Sequence, residues 1–206
     1  MKVVDLGLIS YQKAWQLQQE LLQDRIANKI PDTLLLLEHP PVFTLGKRDC
    51  SEDIISTPEV IAADGIEIIQ ANRGGRITYH GPGQLVGYFI FKINQWGVKK
   101  FVWLLEEACL KTLAEYHIQG ERDLEHPGIW FGKNKIAAIG LHVNNNVTQH
   151  GLAINVACNL NHYRHIIACG IKDRGQTSIH YLLGNAPKIS EVKQKLIKWI
   201  EILTKS

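Results

Sequence analysis

The sequence is short of every feature that would mark a membrane-spanning, secreted or metal-clustered protein. No stretch approaches the roughly 18 consecutive apolar residues of a membrane span. The N-terminal MKVVDLGLIS has neither a long apolar core nor a small-residue cleavage site, so no secretion signal is expected. Its four cysteines, Cys50, Cys109, Cys158 and Cys169, form no CxxC pair and no Cys/His zinc spacing. Scattered cysteines without a leader imply reduced thiols, a cytoplasmic location and no metal site. The formal net charge of +3 is too small to argue for nucleic acid. Repeats, low-complexity linkers and shifts of composition are lacking too, which points to one domain over 1–206.

What is there is an ordinary globular composition, 45% hydrophobic and 21% charged, in a chain long enough to bury a core unaided. KVVDLGLI reads as a first strand. Ser10 is placed to cap a helix whose one face carries Tyr11, Trp15, Leu22 and Ile26, and Pro31 ends that segment. TLLLLEH and PVFTLG are strand-like, Pro58 marks a helix start, and IEIIQA and QLVGYFIFKI are strands. A helix is expected from about Val98 to His117. Three strands follow, turning at GKNK and at Asn144-Asn145-Asn146. A last helix from near Ser190 has Val192, Leu196, Trp199 and Leu203 on its inner face. Strands and helices mix without strict alternation. The expected class is therefore α/β of the α+β kind, a mixed and largely antiparallel sheet with flanking helices.

The densest stretch is RGGRITYHGPGQLVGY, Arg73 to Tyr88. A dinucleotide fingerprint would lead into a helix and a Walker loop needs GxxxxGK[ST]; here a strand follows and no such motif exists. Two readings remain from the residues. Gly81-Pro82-Gly83 is a turn between strands. Alternatively the whole stretch is a site wall, with Gly74 and Gly75 admitting a ligand to bare backbone and Tyr79 and His80 offering polar contacts.

Among the cysteines, Cys109 and Cys158 read as core, and Cys50, beside charged residues, as exposed. Cys169 directly precedes a glycine after an apolar run, which can set a thiol in a loop with backbone amides near it. A reactive thiol needs a cation, an imidazole or a helix N-terminus beside it. Lys133, Lys135, His80, His142 and His150 are candidates. Lys135 stands out because it opens the apolar strand KIAAIG. Sequence spacing alone does not join it to Cys169.

Taken in order, RGGRITYHGPGQLVGY, GIWFGKNKIAAIGLHV, TQHGLAINVACNL and IIACGI, with EHPPVFTLGKR before them, resemble the octanoyltransferase family of lipoate biosynthesis. The resemblance covers about Glu38 to Ser178. It implies a fold shared with lipoate and biotin protein ligases. It also implies transfer of an octanoyl group from acyl carrier protein to a lysine of lipoyl domains, those of 2-oxo acid dehydrogenase E2 subunits and the glycine cleavage H protein. By motif, Cys169 matches the acyl-accepting nucleophile and Lys135 its partner. Arg73, Gly74, Gly75, Arg76, Ile77, Thr78, Tyr79 and His80 match the substrate loop. Ala138, Ile139 and Gly140, and Gly151, Leu152 and Ala153, match two further pocket segments. No cofactor, metal, nucleic acid or membrane is implied, and a monomer is expected. Arg76 departs from the glutamine more usual there; an outward direction, toward an acidic carrier, is the expectation. Lys47, Arg48, Arg73 and Arg76 would then form a basic face. The rivals are an ATP-dependent ligase on the same fold, which needs no nucleophilic cysteine, and a non-catalytic module that binds acyl carrier protein.

Overall fold

A computed structural model describes residues 1–205, the side chain of Ser51 excepted. The strands are β1 (Lys2–Leu8), β2 (Thr33–Glu38), β3 (Val42–Leu45), β4 (Glu67–Gln70), β5 (Thr78–His80), β6 (Gln84–Ile90), β7 (Glu121–Arg122), β8 (Gly128–Phe131), β9 (Asn134–Asn144), β10 (Val147–Asn155) and β11 (Gly175–Gln176). The helices are α1 (Tyr11–Ile26), α2 (Pro58–Ala63), α3 (Gly97–Ala114), α4 (Ile179–Leu183) and α5 (Ile189–Lys205). The large sheet runs β1-β2-β6-β10-β9-β8-β7, with β11 added to β9, and a small sheet runs β4-β3-β5. The β1–β2, β11–β9 and β3–β4 pairs are parallel and the rest antiparallel. This is the mixed, largely antiparallel sheet expected.

Helices α3 and α5 cover one face of the large sheet. Phe101, Leu105, Val192 and Leu196 pack there against Leu34, Phe89, Leu152 and Ile154. Helix α1 lies on the other face, where Tyr11 and Ala14 meet Leu35, Leu37, Val86 and Ala153. The small sheet stands beside α1, with its own cluster of Phe43, Ile77, Tyr79 and Ile166. Burying apolar surface on both faces fixes strand register, because a one-residue slip would turn every side chain to the wrong side.

Several local expectations are amended. Ser10 holds the N-cap position of α1, but its side chain makes no capping bond. The first turn is closed instead by the Ala14 N–H donating to the Ser10 carbonyl at 3.1 Å. The Gly81-Pro82-Gly83 turn is no hairpin, since β5 belongs to the small sheet and β6 to the large one. Glu38 accepts from the Gly83 N–H at 2.8 Å and anchors this crossing. The β9–β10 turn is a true hairpin: Asn145 and Asn146, at φ 48° and 60°, take the left-handed conformation a two-residue turn requires. No described helix is long and apolar enough to cross a membrane.

Candidate active site

Between the large sheet, the N-terminus of α1 and the 73–80 segment lies a cavity of about 500 Å³, its open mouth included. Its floor is β9 and β10. Strand alternation sends Ile139 and Leu152 toward the opposite core and leaves the small residues Ala138, Gly140 and Ala153 on the cavity side. The roof is the glycine segment, held down by the Gly74 N–H donating to the Leu141 carbonyl at 2.9 Å. A Cβ on Gly140 would stand 3.4 Å from the Gly74 carbonyl oxygen, at ordinary contact distance, which shows how closely roof and floor approach there.

Cys169 lines one end of this cavity. It is the one half-exposed thiol; Cys50, Cys109 and Cys158 are buried. Cys50 thus corrects the expectation of exposure: it packs with Ile61, Ile66 and Cys158. Burial pushes the Cys158 thiol up to about 12 and moves those of Cys109 and Cys50 upward as well. Cys169 has the left-handed φ of 59° that non-glycine residues rarely adopt. The surrounding bonds hold it there. Its N–H donates to the Ile77 carbonyl at 2.9 Å, Ile167 N–H to Asp53 at 2.7 Å, and Gly170 N–H to Ile167 at 2.9 Å. With the Ile171 N–H also spent on Ala168, the amides from 169 to 171 are committed. An oxyanion would have to be met by other donors, contrary to the sequence expectation.

Lys135 approaches from behind. Its Nζ stands 3.9 Å from Cys169 Sγ and donates to the Pro127 carbonyl at 3.1 Å. The residue is only 4% exposed and does not itself line the cavity. Strand β11, just after the cysteine loop, supplies the connection. It pairs in parallel with Asn134 and Lys135, and the Thr177 N–H donates to the Lys135 carbonyl at 2.9 Å. Of the other cations proposed for the thiol, Lys133 sits in the exposed β8–β9 turn. His142 stands beside Lys47, 3.2 Å away.

Arg73, Gly74, Gly75, Arg76, Thr78, His80, Ala138, Gly140, Gly151 and Ala153 line the cavity, and Ile139 and Leu152, although packed with the opposite core, border it as well. Ile77 and Tyr79 alternate away from it into the small-sheet cluster. The Tyr79 hydroxyl bonds to His162 Nδ1 at 2.8 Å, so Tyr79 has no contact with the cavity. Arg76 does not reach outward. Its guanidinium grips Asp53 with both arms, at 2.5 and 3.0 Å. Arg73 is a buried cation whose bonds go to neutral acceptors: Thr44 Oγ1, and the carbonyls of Thr44, Gly74 and Arg76. No carboxylate among the described residues pairs with it. The expected basic face therefore shrinks to Lys47 and Arg48.

Of the far end, only His80 was foreseen as a pocket residue. Tyr11 and Tyr88 join His80 and His150 in the lining. Tyr11 lies between the two imidazoles, 6.5 Å from each and nearly parallel to both. Desolvation pulls His80 and His150 down to about 3 and the adjoining His39 to about 4, and pushes Tyr11 up to about 12. Every ring here is therefore neutral near pH 7. His39 bonds to the Tyr88 hydroxyl at 2.8 Å, His80 to Gln84 at 2.6 Å and His150 to Asn72 at 2.6 Å. Among the described residues the Tyr11 hydroxyl has no hydrogen-bond partner. Its one sequence signal was a place on the buried face of α1.

Around this cavity lie a small-residue floor, a glycine roof and, at one end, a thiol with an ammonium behind it. Residues 10–201 match the lipoyl protein ligase A/B catalytic domain family, and the chain belongs to it. Within it, the chain is similar to curated octanoyltransferases. It is 45% identical to that of Caldicellulosiruptor saccharolyticus over 97% of this chain and 86% of the relative. It is 49% identical to that of Alkaliphilus metalliredigens over 89% and 86%, and 47% identical to that of Chloroflexus aggregans over 96% and 91%. Solved structures share the fold at low identity. The bipartite lipoate protein ligase of Thermoplasma acidophilum superposes with a TM-score of 0.75 at 15% identity, over 99% of this chain and 83% of that one. Biotin protein ligase from Aquifex aeolicus gives 0.61 at 19%, over 99% and 70%.

Proposed function

We propose that this protein is an octanoyltransferase that moves an octanoyl group from the thioester of acyl carrier protein to the target lysine of a lipoyl domain, through an acyl thioester on Cys169. The observation that carries the mechanism is the 3.9 Å approach of Lys135 Nζ to the Cys169 thiol at the mouth of a small-residue cavity. The similarity to octanoyltransferases over nearly the whole chain supports the substrate.

An ammonium shielded from water favours the thiolate beside it. The Cys169 thiolate attacks the donor carbonyl, and the tetrahedral adduct collapses by breaking the bond to the carrier's sulfur. That sulfur leaves with a proton from Lys135, now a neutral amine. The acceptor lysine, as a free amine, then attacks the Cys169 thioester. The C–S bond breaks, Cys169 departs as thiolate, and Lys135 takes back the proton lost by the new amide. The thioester is already activated, so no nucleotide enters.

The test is to mix the protein with octanoyl-acyl carrier protein and an apo lipoyl domain, without ATP. Octanoylated lipoyl domain is expected. Modification that occurs only with free octanoate and ATP would make the protein a ligase and overturn the proposal.

A further inference from the structure

Lys135 reaches the thiol because of a fault in the sheet. The register of β8 on β9 shifts between Ile129 and Trp130, so Ile129 opposes Ala137 while Trp130 opposes Lys135. Ile136 is the extra residue, and both it and Ala137 sink into the core below. In an unbroken ladder Lys135 would oppose Phe131. A bulge next to a site commonly re-aims a side chain in this way. Here it brings the Lys135 ammonium to 4.6 Å from the centre of the Trp130 ring.

The ring itself is fixed on several sides. Trp130 is 3% exposed, and its Nε1–H donates to the His126 carbonyl at 3.0 Å. The Arg174 guanidinium also stacks on it, 4.7 Å from the ring centre, and is itself tied to Asp123. Asp123 Oδ1 accepts from the N–H groups of Glu125 and His126 at 2.9 and 2.8 Å. That shapes the loop whose Pro127 carbonyl holds Lys135.

We propose that Trp130 is a positioning residue for the transfer reaction: its ring face, with the Pro127 carbonyl, steers the Lys135 ammonium onto the Cys169 sulfur. The inference rests on the assignment of Cys169 and Lys135 made above. The indole face attracts a desolvated cation and asks for no proton in return. A carboxylate in the same place would draw the ammonium away from the thiol. The remaining charges around the pair are spoken for or lie on the cavity side. Arg174 is matched by Asp123 and Arg76 by Asp53, the buried Glu106 accepts from the Gly128 N–H and pairs with Arg122, Arg73 is held by neutral acceptors, and Lys172 is exposed.

The experiment places tetrafluorotryptophan at position 130, which keeps the shape of the ring and removes its negative face. Trp130→Phe, Trp130→Leu and Lys135→Ala run alongside. Two quantities are read: alkylation of Cys169 against pH, and steady-state octanoyl transfer. With tetrafluorotryptophan the midpoint of alkylation is expected to rise by about one pH unit and kcat to fall about tenfold, at unchanged KM for the donor. Trp130→Leu follows it or exceeds it, and Trp130→Phe lies nearer the native protein. If tetrafluorotryptophan leaves both readouts native while Lys135→Ala moves them, the role of Trp130 is wrong and the dyad stands. If Lys135→Ala leaves them native too, the dyad assignment fails, and this inference with it.

Discussion

The two ends of the cavity are built on opposite electrostatics. At the mouth, a half-exposed thiol faces a buried ammonium at 3.9 Å, and the loop that carries it is bound to Asp53, itself gripped by Arg76. At the far end, three imidazoles and two phenols are packed so tightly that desolvation leaves all of them neutral. Charge is concentrated where bonds change. Where an acyl tail would lie, the imidazoles and phenols carry no charge, and the one buried cation beside them, Arg73, is held by neutral acceptors. On the proposed function, such a wall of histidines and tyrosines would meet an apolar chain with rings that are dry and uncharged.

Breaking the charged end is expected to have the largest effect. Cys169→Ser should lower octanoyl transfer by at least about a thousandfold. Its melting temperature should match that of the native protein, since the side chain lines open space; steady-state assay and thermal scan check the two parts. Next in size is pH. A buried neutral imidazole has a folded-state pKa below the unfolded value of about 6.5. Between about 4 and 6.5 the unfolded chain therefore takes up protons that the native state refuses. These histidines cost nothing above about pH 6.5, and stability falls as pH drops below it, by about 1.4 kcal/mol per unit for each histidine. Urea unfolding between pH 7 and pH 4.5 measures it, and a flat profile would mean that the far end tolerates charge.

A smaller effect is expected beside the thiol, at Gly170. Gly170 has φ 72°, and a Cβ there would meet Arg76 Cδ at 2.7 Å. Gly170→Ala should cost about 1–2 kcal/mol from the backbone alone. It should also slow transfer by disturbing the Arg76–Asp53 grip, as denaturation midpoint and kcat report. The smallest effect belongs to Tyr11→Phe. Its hydroxyl is buried without a partner, so its removal should change stability by less than about 1 kcal/mol. A larger loss would reveal a bond partner at the far end.

The sheet was legible because its strands obey local rules: apolar runs, the Asn145-Asn146 turn, and a helical face from Tyr11 to Ile26. The small sheet was harder, since β5 is three residues long and borrows its pairing from β3 across more than thirty positions. Both Cys169 and Lys135 could be picked out individually. Their meeting depends on the β8–β9 bulge and the β11 pairing, which are non-local and leave no spacing rule. Burial misled at two places. Cys50 sits among charged neighbours in sequence but packs inward, and Arg76 finds Asp53 rather than solvent. His80 and His150 were weighed as cations for the thiol; desolvation makes them neutral members of the far end.

The most direct test is the intact mass of the protein after mixing with octanoyl-acyl carrier protein alone. A gain of one octanoyl group is predicted, absent in Cys169→Ser and discharged when an apo lipoyl domain is added. Undiminished transfer with no adduct, or an adduct that persists in Cys169→Ser, would contradict a two-step reaction through Cys169.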